Sequence, residues 1–161
     1  MTPVTAYVAL GANLEDPVVQ VRAGLAALAT LPHTQFLVQS SLYRTAPVGY
    51  ADQPDFINAV AAVDTALSPR ELLDALLAIE LNHGRVRQFA NAPRTLDLDV
   101  LLYDDVKVNE SGLTIPHPRM HERAFVLAPL VEISPEVHIP GRGAAKPLMD
   151  STKNQKIERL G

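Results

Sequence analysis

The chain has 161 residues, with 14 Lys plus Arg against 18 Asp plus Glu, and it contains no cysteine. This length predicts a single domain over residues 1–161 that folds without a metal or disulfide. The lack of cysteine excludes disulfides, zinc knuckles and thiol nucleophiles. The net charge of -4 argues against a nucleic-acid partner, and no segment approaches ~18 uncharged apolar residues. We therefore expect a cytoplasmic protein without nucleic-acid or membrane partners.

The N-terminal segment predicts a strand followed by a helix. An apolar run over residues 7–10 is typical of a strand, and it stops at Gly11, where we expect a turn. Asp16 followed by Pro17 is typical of a helix N-terminus. Apolar residues then recur at helical spacing until Pro32. The chain therefore opens with a strand and an amphipathic helix.

The middle of the chain predicts a strand pair and a second helix. Residues 35–45 and 56–64 are rich in β-forming residues, and these runs can pair antiparallel across a loop at 46–55. Residues 68–71 read Ser-Pro-Arg-Glu, which is a capping box with proline in the first turn. The helix that begins there is expected to run to Gly84.

The second half predicts a strand at 95–103, a hairpin around 104–105 and a helix over 122–133 that Pro129 shortens or kinks. Residues 140–161 are expected to be loosely ordered. The order β, α, β, β, α, β predicts an α+β ferredoxin-like sandwich, a mainly antiparallel sheet with helices packed on it.

Two aspartates lie two residues apart in the strand predicted over 95–103. Because successive strand residues alternate between faces, Asp97 and Asp99 point to one side. The other face is apolar and is expected to be the core, with Leu96, Leu98, Val100 and Leu102. Neighbouring carboxylates repel each other unless a cation or a proton intervenes, and Mg²⁺ prefers such oxygen ligands. The alternative is a solvated face of an exposed strand.

Five arginines and no lysine occur in the two segments that flank this strand and its hairpin. Arginine favours bidentate, planar contacts over diffuse positive charge. A polyphosphate with bound Mg²⁺ requires carboxylates for the metal and arginines for the remaining oxygens. A surface ion-pair network is the alternative. The arginines are Arg85, Arg87, Arg94, Arg119 and Arg123.

Three further residues are candidates for ligand contacts. His117 lies between two prolines, which restrict the loop, and its imidazole can donate to a phosphate oxygen or be ordinary surface. Phe56 and Asn58 share a strand face, so they can stack on and hydrogen-bond a flat heterocycle. They can equally be a core residue and a strand-end cap. The chain has no Walker-type phosphate loop.

Several segments together resemble the 6-hydroxymethyl-7,8-dihydropterin pyrophosphokinases of folate biosynthesis. The similarity covers about residues 5 to 135, and the segments occur in the order typical of that family. They read LGANL at 10–14, SLYRT at 41–45, QPDFIN at 53–58, GRVR at 84–87, PRTLDLD at 93–99 and PHPRMHERAFVL at 116–127.

The resemblance implies that the terminal two phosphates of ATP pass as one unit to the hydroxymethyl group of the pterin, leaving AMP. It implies that Asp97 and Asp99 hold two Mg²⁺ ions and that Arg85 and Arg94 stabilise charge during transfer. Asp97 is also a candidate general base. The implied nucleotide site comprises Glu80, Arg87, Thr114, His117 and Arg123. The implied pterin pocket comprises Thr45, Val48, Phe56, Asn58 and Phe125, with the ring stacked between the two phenylalanines.

The chain departs from the family pattern in the loop before the aspartates. Residues 88–92 read QFANA, which is shorter than usual and lacks the usual tryptophan. Gly112 and Leu77 stand where some members have polar ATP contacts. Two alternatives stay open: another Mg²⁺-dependent transferase of nucleotides or polyphosphates, and a non-catalytic ferredoxin-like binding module. We expect a monomer.

Overall fold

The computed structural model describes residues 2–14, 16–46, 54–82 and 96–160, which form ten strands and four α-helices. None of these helices has the length and apolar composition needed to span a membrane. The elements are β1 (Val4–Ala12), α1 (Pro17–Leu28), β2 (Thr34–Gln39), β3 (Tyr43–Thr45), β4 (Phe56–Thr65), α2 (Pro69–Asn82), β5 (Asp97–Tyr103), β6 (Val108–Glu110), β7 (Leu113–Ile115), a 3₁₀ turn (Met120–Glu122), α3 (Ala124–Ile133), β8 (His138–Ile139), β9 (Gly143–Ala144), α4 (Ala145–Asp150) and β10 (Ile157–Arg159).

The central sheet is antiparallel throughout its described pairings. Its strands follow the order β10-β3-β4-β1-β5, and β2 also pairs with β4. Since β1 pairs along the length of β4, β2 and β3 must follow one another along the opposite edge of β4. The predicted pairing of the 35–45 and 56–64 runs is therefore confirmed, although the first run divides into two strands. The α+β prediction with a mainly antiparallel sheet is also confirmed.

Buried apolar residues form two clusters, one on each face of this sheet. The first joins alternate residues of β1 to α1 and α2, and the second joins the opposite face of β4 and β5 to α3 and the C-terminal segment. Burying both faces supplies the main favourable free energy of the fold. Members of the first are Val8, Leu10, Leu25, Leu28, Leu72, Leu76 and Leu98. Members of the second are Val60, Leu101, Met120, Leu127, Leu130 and Ile139.

The sequence patterns locate the N-termini of α1 and α2, although only α2 forms the expected cap. At α2 the capping box is reciprocal: the Ser68 N–H donates to Glu71 Oε1 at 2.8 Å, and the Glu71 N–H donates to Ser68 Oγ at 3.1 Å. At α1, Pro17 is the first residue as predicted. Asp16, however, has φ 58 and makes no side-chain capping bond within the described residues. Its left-handed backbone accounts for the difference, because capping needs an extended φ.

A β-bulge in β5 changes which residues face the core. Val8 pairs with Val100, whereas Tyr7 pairs with Leu102, so Leu101 is an extra residue. The extra residue reverses the alternation that follows. Leu102, expected on the face of Leu98, therefore belongs to the cluster that contains α3.

The hairpin predicted around 104–105 is wrong. Asp104 does turn the chain, with φ 52, but β5 pairs with β1 and not with the strand that follows it. The hairpin lies further along, where β6 pairs with β7 across Gly112. Gly112 has φ 73, a conformation that glycine adopts without steric cost, so the reversal forms there.

The C-terminal segment differs from the loosely ordered tail that its composition predicts. Residues 140–160 contain β9, α4 and β10. β10 extends the central sheet, where Ile157 pairs with Thr45 and Arg159 pairs with Tyr43. Pairing with β3 orders this segment, and local sequence patterns do not reveal such a distant partner.

Glu132 on α3 joins the helix to β3 and β10. Its carboxylate accepts hydrogen bonds from the Ser41 N–H at 3.0 Å and the Tyr43 hydroxyl at 2.8 Å, and it pairs with the Arg159 guanidinium at 3.2 Å. Burial alone would raise the pKa of Glu132, but the bonds from Tyr43 and Ser41 and the charge of Arg159 lower it. Burial and the bond to Glu132 raise the pKa of Tyr43 to about 12. The carboxylate therefore stays ionised at neutral pH.

We predict that Glu132→Ala lowers the free energy of unfolding by about 2 to 4 kcal/mol, because several donors lose one charged acceptor. Urea unfolding measures this change. The exposed Glu136→Ala is the matched control and should change stability by less than ~0.5 kcal/mol. Equal stability of the two variants would contradict a stabilising role for the Glu132 network.

Candidate functional site

The floor of the candidate site crosses three adjacent strands at one end of the sheet. Gly11 on β1 pairs with Asn58 on β4 on one side and with Asp97 on β5 on the other. Partners in register share a face, so the three residues form a row on the face that α3 covers. Ala9 pairs with Asp99 in the same way. The residues of β1 in these pairings are small, so little side-chain bulk separates the carboxylates on β5 from the amide on β4.

Gly11 is a site residue that the sequence analysis did not single out. It lies within β1, whereas the sequence predicts a turn there. A Cβ at this position would lie 3.0 Å from Asn58 Oδ1, which is tighter than an ordinary contact. Glycine inside a strand indicates a close approach of this kind, and that signal was present in the sequence.

The two aspartates occupy the predicted face of β5. Both are partly buried, and each has an interaction partner within the protein. Leu98, between them, is 3% exposed and packs on the opposite face. Its N–H donates to Glu80 Oε2 at 2.7 Å, and Glu80 on α2 is itself 3% exposed. A buried carboxylate thus holds the backbone of β5 between the two aspartates.

Arg123, immediately before α3, lies close enough to both aspartates to interact with their charges. Burial and the positive charge of Arg119 lower the pKa of Arg123, whereas Asp99 and Asp97 oppose this shift. Its guanidinium carbon also lies 5.5 Å from the centroid of the Phe125 ring. This is a cation–π distance. Arg123 therefore links the carboxylates to the aromatic side of the site.

His117 is a neutral hydrogen-bond donor. Burial, followed by the charge of Arg123, lowers the pKa of His117 to about 4, although Asp97 opposes the shift. The Arg119 N–H donates to His117 Nδ1 at 3.2 Å, so the ring hydrogen resides on Nε2. The His117 N–H donates to the carbonyl of Leu101, the bulge residue, at 3.0 Å. The bulge thus anchors the loop that carries the imidazole.

The aromatic and amide side of the site forms around β3 and β4. Asn58 Nδ2 donates to Thr45 Oγ1 at 3.0 Å, and both residues are 6% exposed. Phe56 pairs with Thr45 across the strands and is partly buried. Phe56 and Asn58 therefore share a face as predicted, and the bond that the Asn58 amide donates to Thr45 fixes the orientation of that amide.

The remaining predicted site residues are not placed in the row of Gly11, Asn58 and Asp97 by any described strand pairing. Thr114 is exposed on β7, where it pairs with Asn109. Glu80 accepts a hydrogen bond from the backbone of β5, between the two aspartates. Four predicted residues lie outside the described residues: Val48, Arg85, Arg87 and Arg94.

The donor set fits Mg²⁺ bound together with a phosphate substrate. Asp97 and Asp99 offer carboxylate oxygens from one strand face. Within the described residues, no group of three or more His, Asp or Glu side chains is arranged to hold a metal by itself. Mg²⁺ is commonly held by one or two carboxylates, with water and substrate phosphates as its other ligands. Arg123 offers cationic donors, and His117, which senses the charge of Arg123, offers a neutral donor nearby.

We predict that His117 of the protein without ligands stays neutral down to about pH 4 and carries its hydrogen on Nε2. The unfolded chain, with an ordinary histidine pKa of about 6.5, binds this proton first as the pH falls. The contribution of the neutral His117 imidazole to the free energy of unfolding is therefore complete above about pH 6.5 and is lost between about pH 6.5 and pH 4. Nitrogen chemical shifts report the tautomer, and urea unfolding against pH reports the stability.

The variant His117→Gln assigns the histidine signal and should flatten the pH dependence of unfolding over this range. A His117 ring that titrates near its ordinary pKa, or that carries its hydrogen on Nδ1, would show that the imidazole is not the donor described above.

Comparison with known proteins assigns the family. A family model described as 7,8-dihydro-6-hydroxymethylpterin-pyrophosphokinase matches residues 7–135. A 2-amino-4-hydroxy-6-hydroxymethyldihydropteridine pyrophosphokinase of Pseudomonas aeruginosa is 47% identical over 154 residues, covering 96% of this chain and 95% of the relative. The protein of the same name from Haemophilus influenzae is 45% identical over 157 residues, covering 98% of each chain.

Solved structures show the same fold at low identity. An HPPK-DHPS structure in complex with substrates matches with a TM-score of 0.77 and 13% identity over 99% of this chain and 47% of that chain. A Plasmodium falciparum HPPK-DHPS structure with pteroate matches with a TM-score of 0.75 and 15% identity, over 98% of this chain and 46% of that chain. This chain therefore spans about half the length of those two. Together with the sequence match over residues 7–135, these findings show that the chain belongs to the 7,8-dihydro-6-hydroxymethylpterin-pyrophosphokinase family.

Proposed function

We propose that this protein transfers pyrophosphate from ATP to 6-hydroxymethyl-7,8-dihydropterin, giving the pterin diphosphate and AMP, as a step of folate biosynthesis. One observation carries the proposal: two carboxylates lie beside a cationic side chain, on a sheet face that also carries an aromatic and an amide side chain. Gly11 pairs with Asp97 on one side and with Asn58 on the other, and the Asp97 carboxylate interacts with the charge of Arg123. Family membership supports the same activity.

Asp97 and Asp99 are the proposed ligands of two Mg²⁺ ions. When bound, the ions neutralise the triphosphate and favour its terminal phosphates as an electrophile. The protein's own contribution is to hold the carboxylates in place. Leu98 is buried against α2, and its N–H is bound to Glu80, so neither aspartate can rotate towards the core without breaking that packing.

The nucleotide is proposed to lie along the side formed by His117 and Arg123. The Nε2–H of His117 would donate to a phosphate oxygen without changing its charge, while the Arg123 guanidinium would bind a second oxygen. Thr114 and Glu80 are proposed to complete this side. Arg85, Arg87 and Arg94 stay predictions from the family pattern, with Arg85 and Arg94 stabilising charge during transfer.

The pterin is proposed to bind where Phe56 and Phe125 border the sheet face. The flat ring would stack on these side chains and hydrogen-bond to the Asn58 amide. Thr45 already holds that amide through Nδ2, which reduces the entropy lost on binding. Val48 remains a predicted pocket residue.

Catalysis is proposed to depend on positioning and charge stabilisation. The hydroxymethyl oxygen attacks the β-phosphorus, and the bond from that phosphorus to the bridging oxygen of the α-phosphate breaks, releasing AMP. Asp97 is the proposed acceptor of the hydroxyl proton. Binding both substrates in one cleft replaces an encounter in solution with an oriented reaction. We further propose that a single domain performs this reaction in the cytoplasm. We propose that it acts as a monomer, since one chain supplies all the proposed site residues.

We predict that AMP appears from ATP only when hydroxymethyldihydropterin and Mg²⁺ are both present. Asp97→Ala and Asp99→Ala should each lower kcat about a thousandfold or more, because the triphosphate charge is then poorly stabilised. AMP formation measured by chromatography tests this, with circular dichroism to verify the fold. Asp105→Ala, an exposed aspartate in the turn after β5, is the matched control and should retain activity.

Two outcomes would overturn the proposal. Equal AMP formation without the pterin would favour a different nucleotide transferase. Wild-type AMP formation by both aspartate variants would show that these carboxylates do not hold the metal, and a wild-type protein that forms no AMP would favour a non-catalytic binding module.

We predict that Asn58→Ala weakens pterin binding about 10- to 100-fold, because a buried hydrogen-bonding group is lost. Affinity for a non-hydrolysable ATP analogue should change less than threefold. Calorimetric titration of pterin in the presence of that analogue measures both effects. Asn109→Ala, an exposed asparagine on β6, is the control and should bind pterin like the wild type. Equal losses of pterin and nucleotide affinity would contradict the placement of Asn58 on the pterin side.

A further inference from the structure

A glutamine of the C-terminal segment bridges the backbone on both sides of Arg123. Gln155 Oε1 accepts a hydrogen bond from the Ala124 N–H at 2.9 Å, and Gln155 Nε2 donates to the Glu122 carbonyl at 2.7 Å. These partners fix the orientation of the amide, because an N–H requires the oxygen and a carbonyl requires the nitrogen. One side chain therefore connects the residue before Arg123 to the residue after it.

The N-terminus of α3 needs such a partner because its own first residues do not cap it. Arg123 occupies the N-cap position with an extended backbone, φ -117 and ψ 113, and makes no side-chain capping bond. A serine, threonine or aspartate at this position would normally satisfy one of the first free N–H groups. An arginine side chain has no acceptor and cannot do so. Gln155 instead accepts, from a distant part of the chain, the first free N–H of the helix, that of Ala124.

Gln155 is held in place from both directions along the chain. Its N–H donates to the carbonyl of Thr152 at 2.9 Å, and Thr152, two residues after α4, is 4% exposed. Two residues later β10 begins, and it pairs with β3 over Ile157–Arg159. Arg159 in turn contacts Glu132 of α3. The amide therefore approaches Arg123 from a segment anchored to both the sheet and the helix.

We propose that Gln155 is a positioning residue for the nucleotide side of the site: by holding the backbone around Arg123, it directs the guanidinium towards the bound phosphates. This inference rests on the proposed role of Arg123. Gln155 lies outside residues 7–135, which carry the family match. The C-terminal segment thus contributes to the site through hydrogen bonds, although it places no side chain in the row of Gly11, Asn58 and Asp97.

The test compares Gln155→Ala with Asn154→Ala, an exposed neighbouring amide, in the full chain. Gln155→Ala should raise the KM for ATP and the dissociation constant of a non-hydrolysable ATP analogue with Mg²⁺ about three- to tenfold, because a misplaced guanidinium loses contact with the phosphates. The KM for the pterin should change less than twofold. Asn154→Ala should match the wild type in all three quantities.

A second variant, Gln155→Glu, separates positioning from folding. It keeps an acceptor for the Ala124 N–H at a helix N-terminus, where a negative charge is favourable, but it lacks the donor to the Glu122 carbonyl. Its thermal midpoint should therefore stay near that of the wild type, while the KM for ATP still rises. An unchanged KM for ATP in both Gln155 variants would overturn the proposal.

A double-mutant cycle with Arg123→Ala identifies the route of the effect. If Gln155 acts through Arg123, Gln155→Ala causes no further loss of analogue affinity in the Arg123→Ala background. Independent, additive losses would overturn the proposal. The proposed function is tested separately by AMP formation in the wild type. Hydrogen exchange of the Ala124 amide, faster in Gln155→Ala than in Asn154→Ala, reports the bridge whether or not the pterin is the substrate.

Discussion

The alternation of side chains along β5 is the constraint on which the site depends. Leu98 is buried against α2 and its N–H is bound to Glu80, so the residues on either side of it must point to the opposite face. Asp97 and Asp99 are therefore held side by side at little entropic cost. The core supplies the rigidity, and the same strand presents two like charges that a bound cation can compensate. The strand β5 thus both packs against the core through Leu98 and presents the two carboxylates on its other face.

The face that carries the aspartates is usable because the neighbouring strand has small residues there. Ala9 and Gly11 on β1 lie beside Asp99 and Asp97, and a side chain at Gly11 would meet Asn58. Further along the sheet, the same face is filled by α3 and its apolar cluster. This end of the sheet face is therefore the part of the layer to which β1 contributes no large side chain.

The start of α3 shows how a proposed binding residue changes local stability requirements. Arg123 contributes charge near the aspartates, but at the N-cap position it leaves the helix without its usual acceptor. Gln155 provides that acceptor from a segment whose composition suggests little order. Local rules of helix capping therefore fail at a residue that we propose to bind the nucleotide, and tertiary structure compensates.

The sequence by itself determined the features that depend on near neighbours: the capping box of α2, the shared face of Asp97 and Asp99, and the motifs that identify the family. It did not determine the bulge at Leu101, the ordered β10 or the contact of Gln155 with α3. Alternation and capping act over two to four residues and can be read from spacing. Strand pairing and long-range hydrogen bonds depend on partners far along the chain, so only the tertiary structure decided them.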